Sequence, residues 1–170
     1  MAVNRDSDGW QVVVGSEFRL TNLAQGGVYV GYQEREYDSA AFANTDGLAY
    51  GADVEWYVTP LTTVTFNASQ SVEETSVAGS SGYDRQSFGV DVDHELLRNV
   101  ILSGGASYGN NDFNSSPRED DLIGAHAGVL YLLNRNFDIG LRYTFEDRDS
   151  NVAAADYTRN IIGITLTGKL

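Results

Sequence analysis

Along most of the chain, apolar and polar side chains alternate one residue at a time. In the first such segment Trp10, Val12 and Val14 stand at even positions, while odd positions such as Gln11 and Glu17 are mostly polar. Because successive side chains of a β-strand point to opposite faces, this period of two predicts a strand with one apolar and one polar face. The pattern recurs in about nine segments without a helical period between them, so the chain is predicted to be all-β, an antiparallel up-and-down sheet.

The connections between these segments alternate between tight turns and longer polar loops. The tight turns are predicted at residues 21–23, 59–61, 97–99 and 134–136. The longer loops are predicted at residues 37–47, 75–83, 113–121 and 147–157. This alternation is typical of barrels that cross the bacterial outer membrane, with the short turns on the periplasmic side and the long loops outside.

The polar positions of the segments favour a closed transmembrane barrel over a soluble β-sandwich or barrel that binds a ligand, which is the alternative. They hold many of the chain's 18 glycines together with acidic and basic residues, whereas the polar face of a sandwich favours Lys, Thr and Glu. Glycine suits the crowded inner wall of a barrel, and opposite charges pair across a narrow lumen. We expect Arg19 or Arg142 to pair with a carboxylate from another strand. The predicted lumen charge network consists of Glu17, Arg19, Arg35, Asp53, Glu55, Asp91, Asp93 and Arg142.

Large aromatic residues at the apolar positions sort into two groups by their depth along the segments. Aromatic girdles at both membrane interfaces are a property of lipid-spanning barrels, because amphipathic rings prefer the depth of the head groups. The predicted girdle consists of Trp10, Tyr50 and Tyr108 toward the long loops and of Trp56, Tyr131 and Phe137 toward the tight turns.

Several strand and turn phrases, taken together, resemble a known family. They include the runs from Val58 to Thr65, from Tyr131 to Asn136 and from Tyr143 to Ser150. These phrases resemble those of outer-membrane β-barrel porins encoded with bacterial exopolysaccharide operons. The resemblance implies a Gram-negative outer-membrane barrel that contacts membrane lipid and is linked to a polysaccharide or its export partners. Members of that family are longer and have more strands, so the resemblance also implies a C-terminal part or a shortened relative.

Composition and charge exclude several functional classes. A chain of 170 residues with a net charge of -13 offers no basic face for the phosphates of nucleic acid. The absence of cysteine removes disulfide frameworks and thiolate metal sites. No apolar run approaches the roughly 20 residues of a membrane helix. The N-terminal residues show neither region of a signal peptide, so either one has been removed or the chain is not exported.

Candidate chemistry is sparse, and no enzyme activity, cofactor or metal site is predicted. His94 and His126 are the two histidines, and parity places them on opposite faces, so they cannot share a site. His126 is expected to form hydrogen bonds in the lumen. The acidic stretch 118–121 lacks the spacing of a calcium loop and is expected to be a solvated loop.

The whole chain, 1–170, is expected to form one barrel domain with an N-terminal tail at 1–9. About nine strands conflict with the even numbers found in bacterial single-chain barrels. A weak or false strand, parallel closure between the first and last strands, or pairing with another copy would each resolve this conflict. The expected function is that of a small porin-like barrel with a filled lumen, linked by resemblance to exopolysaccharide export. The alternative is a structural or engineered minimal barrel without transport.

Overall fold

The structure is a computed structural model that describes residues 6–20, 22–39, 44–75, 77 and 80–169. Within these residues the chain forms nine strands and a short 3-10 turn at Ala153–Ala155. The strands are β1 (Ser7–Leu20), β2 (Ala24–Tyr37), β3 (Thr45–Thr59), β4 (Thr62–Glu74), β5 (Gly82–Leu97), β6 (Val100–Phe113), β7 (Glu119–Leu132), β8 (Phe137–Ser150) and β9 (Tyr157–Gly168).

Each strand lies next to its neighbour in sequence, so the order in the sheet runs from β1 to β9 and every pairing is antiparallel. This confirms the predicted all-β, up-and-down architecture. The predicted tight turns at 59–61, 97–99 and 134–136 are also confirmed, and at 21–23 the connection from β1 to β2 is short, with residue 21 outside the described residues. In the turn between β7 and β8, the side-chain oxygen of Asn134 accepts hydrogen bonds from the backbone N–H groups of Asn136 (2.8 Å) and Phe137 (3.1 Å). This side-chain pattern is typical of Asn in tight turns.

The strands extend further into the predicted loops and tail than the sequence pattern indicates. Residues 1–5 of the predicted tail at 1–9 lie outside the described residues, but residues 7–9 belong to β1, which begins at Ser7 paired with Tyr37. The predicted solvated loop at 118–121 is also wrong, because β7 begins at Glu119 and Asp120 pairs with Ser150 of β8. Backbone hydrogen bonds between neighbouring strands stabilise these polar ends, although their side chains do not alternate in polarity.

Side-chain exposure separates the two faces of the sheet most clearly on β7. On β7 the apolar positions Ile123, Val129 and Tyr131 are 53%, 41% and 42% exposed, while Gly124 and His126 between them are half-buried. We call the face with the polar positions the concave face and the opposite one the convex face. The end of the sheet with the tight turns is the turn end, and the other is the loop end.

The sheet has two open edges. Among the described residues β1 pairs with β2 alone and β9 with β8 alone, and β9 is exposed along its whole length. The parallel closure between the first and last strands is therefore not formed within this part of the chain. No false strand explains the odd number either, because all nine predicted segments are strands. Within the same residues, no helix is long and apolar enough to cross a membrane.

Candidate functional site

The polar residues of the concave face form rows that run across the strands. One row contains Asp91 of β5, Gly105 of β6 and His126 of β7, which lie side by side in register. The His126 Nε2 and Asp91 Oδ1 atoms lie 3.3 Å apart, although a whole strand separates their backbones. A Cβ atom on Gly105 would lie 2.5 Å from Asp91 Oδ1 and 2.6 Å from His126 Cε1. The missing side chain at Gly105 is therefore what allows the two polar groups to meet, and the expected lumen role of His126 agrees with this contact.

A second polar group lies toward the turn end of the concave face. The side-chain amide of Gln25 donates to Glu55 Oε2 and to the hydroxyl oxygen of Tyr57, both at 2.7 Å. The Tyr57 hydroxyl donates to the same Glu55 oxygen at 2.7 Å. Because Glu55 is held by these neutral donors, its charge is not neutralised by a cation in this group.

A buried ionic group stands at the loop end, outside the central part of the strands. Asp120 is fully buried and accepts hydrogen bonds from Arg118 Nη2 (2.7 Å), Arg118 Nε (2.9 Å) and the Ser150 hydroxyl (2.6 Å). Arg148 Nη1 lies 3.9 Å from the same carboxylate, and the Arg118 guanidinium stacks 4.5 Å from the centre of the Phe113 ring. Burial acts to raise the pKa of Asp120, but the hydrogen bonds from Arg118 and Ser150 and the nearby positive charges outweigh it, so the pKa is lowered.

The residues of the predicted lumen charge network stand at concave positions of their strands, but their ion pairs differ from the expectation. Arg35 forms an ion pair at 2.5 Å, but its partner is Glu74 at the end of β4. Among the described residues, neither Arg19 nor Arg142 has a carboxylate within 4.0 Å, so the expected pairing of one of these arginines is not formed.

Row geometry explains why these two arginines stay apart from the acids. Arg142 shares a row with Asp93, but Ser103 and Gly128 lie between them, and strands three steps apart are separated by about 14 Å. Arg19 is two strands away from Glu55 in its own row, and the residue between them is Gln25, whose side chain itself donates to Glu55. The sheet is open, so no opposite wall among the described residues brings other acids near. The remaining members of the predicted network share two depressions of the concave face, one with Glu17, Arg19, Asp53 and Glu55, the other with Asp91, Asp93 and Arg142.

The predicted girdle residues lie at apolar positions of the convex face. Five of them are largely exposed, and Tyr50 is half-buried. Trp10 lies against Tyr32, with ring centroids 5.9 Å apart. The exposed set comprises Trp10, Trp56, Tyr108, Tyr131 and Phe137.

Sequence reasoning missed the ionic group around Asp120 and the partner of Arg35. Asp120 belongs to the same even positions as Gly124 and His126, so extending the alternation of β7 backward would have placed it on the concave face. No comparable pattern indicates Glu74, which stands at a position of β4 that alternation assigns to the convex face. Within the described residues, no group of three or more His, Asp or Glu side chains is placed to hold a metal ion.

The sheet is antiparallel and up-and-down, with a polar concave face and an exposed apolar convex face. Comparison with known proteins identifies the same kind of fold. The family model described as "Putative beta-barrel porin 2" matches residues 1–170. The chain belongs to this porin family. Membership confirms the predicted β-barrel class and the location in the bacterial outer membrane, where lipid surrounds the barrel.

A solved structure supports the same fold for this porin-family chain. It is OmpTdeltaL8, a loop L8 deletion mutant of OmpT, an outer membrane protein of Vibrio cholerae, with a TM-score of 0.63 and 13% sequence identity. The alignment covers 95% of this chain and 53% of that one, so the present chain spans about half the length of the solved protein. Comparison with curated proteins gives no match.

Lipid contact at the convex face predicts unequal effects of substitution on the two faces. Leu141 is 50% exposed on the convex face. The substitution Leu141→Arg is expected to lower the free energy of unfolding of the protein in lipid by roughly 2 to 4 kcal/mol. Val90→Arg should act in the same direction. Thr65→Val, on the concave face, is the control and should change stability much less. Unfolding titrations in lipid vesicles measure both, and equal losses would contradict the assignment of the faces.

The ionic group at the loop end predicts a pH-dependent contribution to stability. Asp120→Asn keeps the shape of the side chain but removes its charge, and is expected to cost about 1.5 to 3 kcal/mol at neutral pH. Because the pKa of Asp120 is lowered in the folded chain, this contribution is complete above the ordinary carboxyl pKa and is lost as the pH falls through the lowered value. Denaturant unfolding of both proteins should therefore converge in strong acid. Asp149→Asn, at an exposed position, is the control, and a difference that does not vary with pH would contradict the prediction.

Proposed function

We propose that this chain forms part of the wall of an outer-membrane pore through which hydrophilic solutes cross passively. The observation that carries this proposal is the contrast between the two faces of one sheet. The convex face exposes large apolar residues, whereas the concave face carries amide, hydroxyl and charged groups that include Gln25, Asp53, Asn67 and His126. A polar inner wall and an apolar outer band are the arrangement of water-filled barrels. We assign no catalytic role to the concave face.

The charges of the concave face support a wide lumen over a filled one. Arg19 and Arg142 face the concave side without a carboxylate within ion-pair distance among the described residues. An unpaired charge in a narrow, dry interior would be strongly unfavourable. In a water-filled pore the same charges are solvated and act on the ions that pass.

Further strands outside the described sheet close this barrel. Edge backbone groups within lipid must find partners, because no water reaches them there. β1 and β9 run in the same direction, so antiparallel closure requires an odd number of additional strands between them. Nine plus an odd number gives the even total of bacterial single-chain barrels. The match to about half of a solved outer membrane protein is consistent with this completion.

The finer part of the proposal concerns the solute. The resemblance in the strand and turn phrases implies an association with exopolysaccharide operons, and a saccharide is compatible with the lining. Its hydroxyl groups both donate and accept, as do the side chains of Gln25, Glu55 and Tyr57 when taken together. We therefore propose a surface polysaccharide, or a piece of one, as the solute.

Conductance tests the pore directly. The intact protein purified from outer membranes is expected to give discrete ion steps in planar bilayers. Arg142→Ala should leave the melting temperature unchanged and shift the balance of cation and anion permeability, because Arg142 is solvated. Silence from a folded sample would instead support a structural barrel without transport. A large fall in melting temperature would show that Arg142 is paired in the complete barrel.

Hydrogen exchange tests the closure. In the intact protein in detergent micelles, the amides of β1 and β9 that point away from their described neighbours are expected to exchange slowly, like those of β5 and β6. Fast exchange at these amides would mean that the edges stay open and would contradict the closure. The mass of the protein component in the micelle distinguishes further strands of one chain from a second copy, which would double it.

A further inference from the structure

The sheet divides at its loop end. The ladder between β3 and β4 stops at the pair Tyr50 and Gln70, so Thr45–Ala49 have no partner in β4. The neighbouring ladders continue beyond this level. β2 and β3 stay paired as far as Arg35 and Thr45, and β4 and β5 as far as Glu74 and Gly82. The loop ends of β2–β3 and of β4–β5 are therefore separate paired units.

These two units overlap face to face. Arg35 and Tyr37 occupy positions that register assigns to the concave face of β2, while Glu74 and Gly82 occupy convex positions of β4 and β5. The Arg35 Nη1 and Glu74 Oε1 atoms are nevertheless 2.5 Å apart, and the Tyr37 hydroxyl donates to the Ser81 carbonyl oxygen at 2.8 Å. Concave positions of one unit contact convex positions of the other, so the β4–β5 unit lies on the lumen side of the β2–β3 unit.

The overlap reaches across several strands and buries polar groups. The Asn114 side-chain amide donates to Thr45 Oγ1 at 3.1 Å, although β3 and β6 are three steps apart in the sheet, a separation of about 14 Å if the ladders were regular. Thr45 is 4% exposed, and Ala49 and Ser80 are fully buried. Such burial at the end of an open sheet requires a second layer of chain above it.

The burial of Asp84 in β5 shows that the β2–β3 unit covers the convex side of the β4–β5 unit. Asp84 stands at a convex position of β5, closer to the loop end than the paired aromatic residues Phe88 and Tyr108. A regular barrel wall would leave this position in water. Instead it is half-buried beneath β3, and a Cβ atom on Gly47 would lie 4.0 Å from its Oδ1 atom. Burial raises the pKa of Asp84, and the charges of Asp112 and Asp46 add to the effect. This position is outside the part of the strands that spans the lipid.

We propose that the inward-lying loop ends of β4 and β5, with residues 80–82, form the constriction that sets which solutes enter the pore. The contacts Arg35–Glu74, Tyr37–Ser81 and Thr45–Asn114 hold this constriction in place. Arg85 lies on its lumen side, at an exposed concave position. It is therefore a cation that an entering solute meets, near Glu73 at a concave position of β4. The constriction rests on the proposed pore function, but the overlap itself can be tested without any transport.

Cysteine cross-linking tests the overlap, because the chain has no cysteine of its own. The double variant Thr45→Cys/Asn114→Cys is expected to form a disulfide on folding, seen as a mobility change that a reductant reverses. The matched control is Leu48→Cys/Val72→Cys, two positions that would face each other if the β3–β4 ladder continued regularly past Tyr50 and Gln70. We expect no cross-link in the control. A cross-link in the control and none in the first variant would overturn the proposal.

Conductance then tests the constriction in the intact protein. Arg35→Ala/Tyr37→Phe removes two of the contacts and is expected to raise single-channel conductance. Arg85→Glu should move the reversal potential in a salt gradient toward cation preference, and Arg19→Glu, at the turn end, should move it less. Conducting channels that none of these changes affect would overturn the constriction. Silence of the parent and of every variant, with the expected cross-links formed, would overturn the pore function and the constriction with it, and leave the overlap standing.

Discussion

The backbone hydrogen-bond ladder is the interaction on which the rest of this structure depends. Within the described residues Ala49 and Phe113 are the only buried apolar side chains, and most large apolar side chains are exposed, so an apolar core does not hold the strands together. Each strand is positioned by its neighbours, and the neighbours fix which residues share a row on the concave face. The contact between His126 and Asp91, the group around Glu55 and the buried Asp120 all follow from ladder register. The same dependence makes the two unpaired edges the most consequential feature of the sheet, because a ladder in lipid cannot end without a partner.

Much of the fold could be predicted from the sequence because the governing period is two residues. Alternation alone assigns Leu141 to one face and Arg142 to the other, and register pairing preserves that assignment across β7, β8 and β9. Strand ends were predicted less well. At Asp120 and Ser150 the side chains are polar on both faces, so the pattern fades while the backbone pairing continues. Polarity reports on the surroundings of a side chain, whereas the strand persists as long as its backbone finds a partner.

The candidate site was harder to predict, since residue type and face do not determine which charges meet. Arg142 and Asp93 lie on the same face and in the same row, but two strands lie between them. Asp91 and His126 meet because the strand between them carries glycine. Arg35 and Glu74 form an ion pair although alternation assigns them to opposite faces of the sheet. This is possible because the sheet has divided at that end, so that residues on opposite faces of two different units come into contact. The alternation of polar and apolar residues predicts contacts only where strand pairing is regular, so it does not predict contacts that form where the pairing is interrupted.

The division of the sheet beyond Tyr50 and Gln70 has a consequence for how the sequence can evolve, because the loops and the strand ends that form the entrance are different residues. The contacts that join the overlapping units come from strand ends and from residues directly beside them, such as Arg35, Tyr37, Glu74 and Ser81. In outer-membrane barrels the longer loops lie outside the cell, where other organisms and molecules encounter them first. Under the proposed constriction, loops of this kind could change in length and composition without moving the strand-end residues that shape the entrance. The surface that the cell presents and the solutes that it admits can thus change independently.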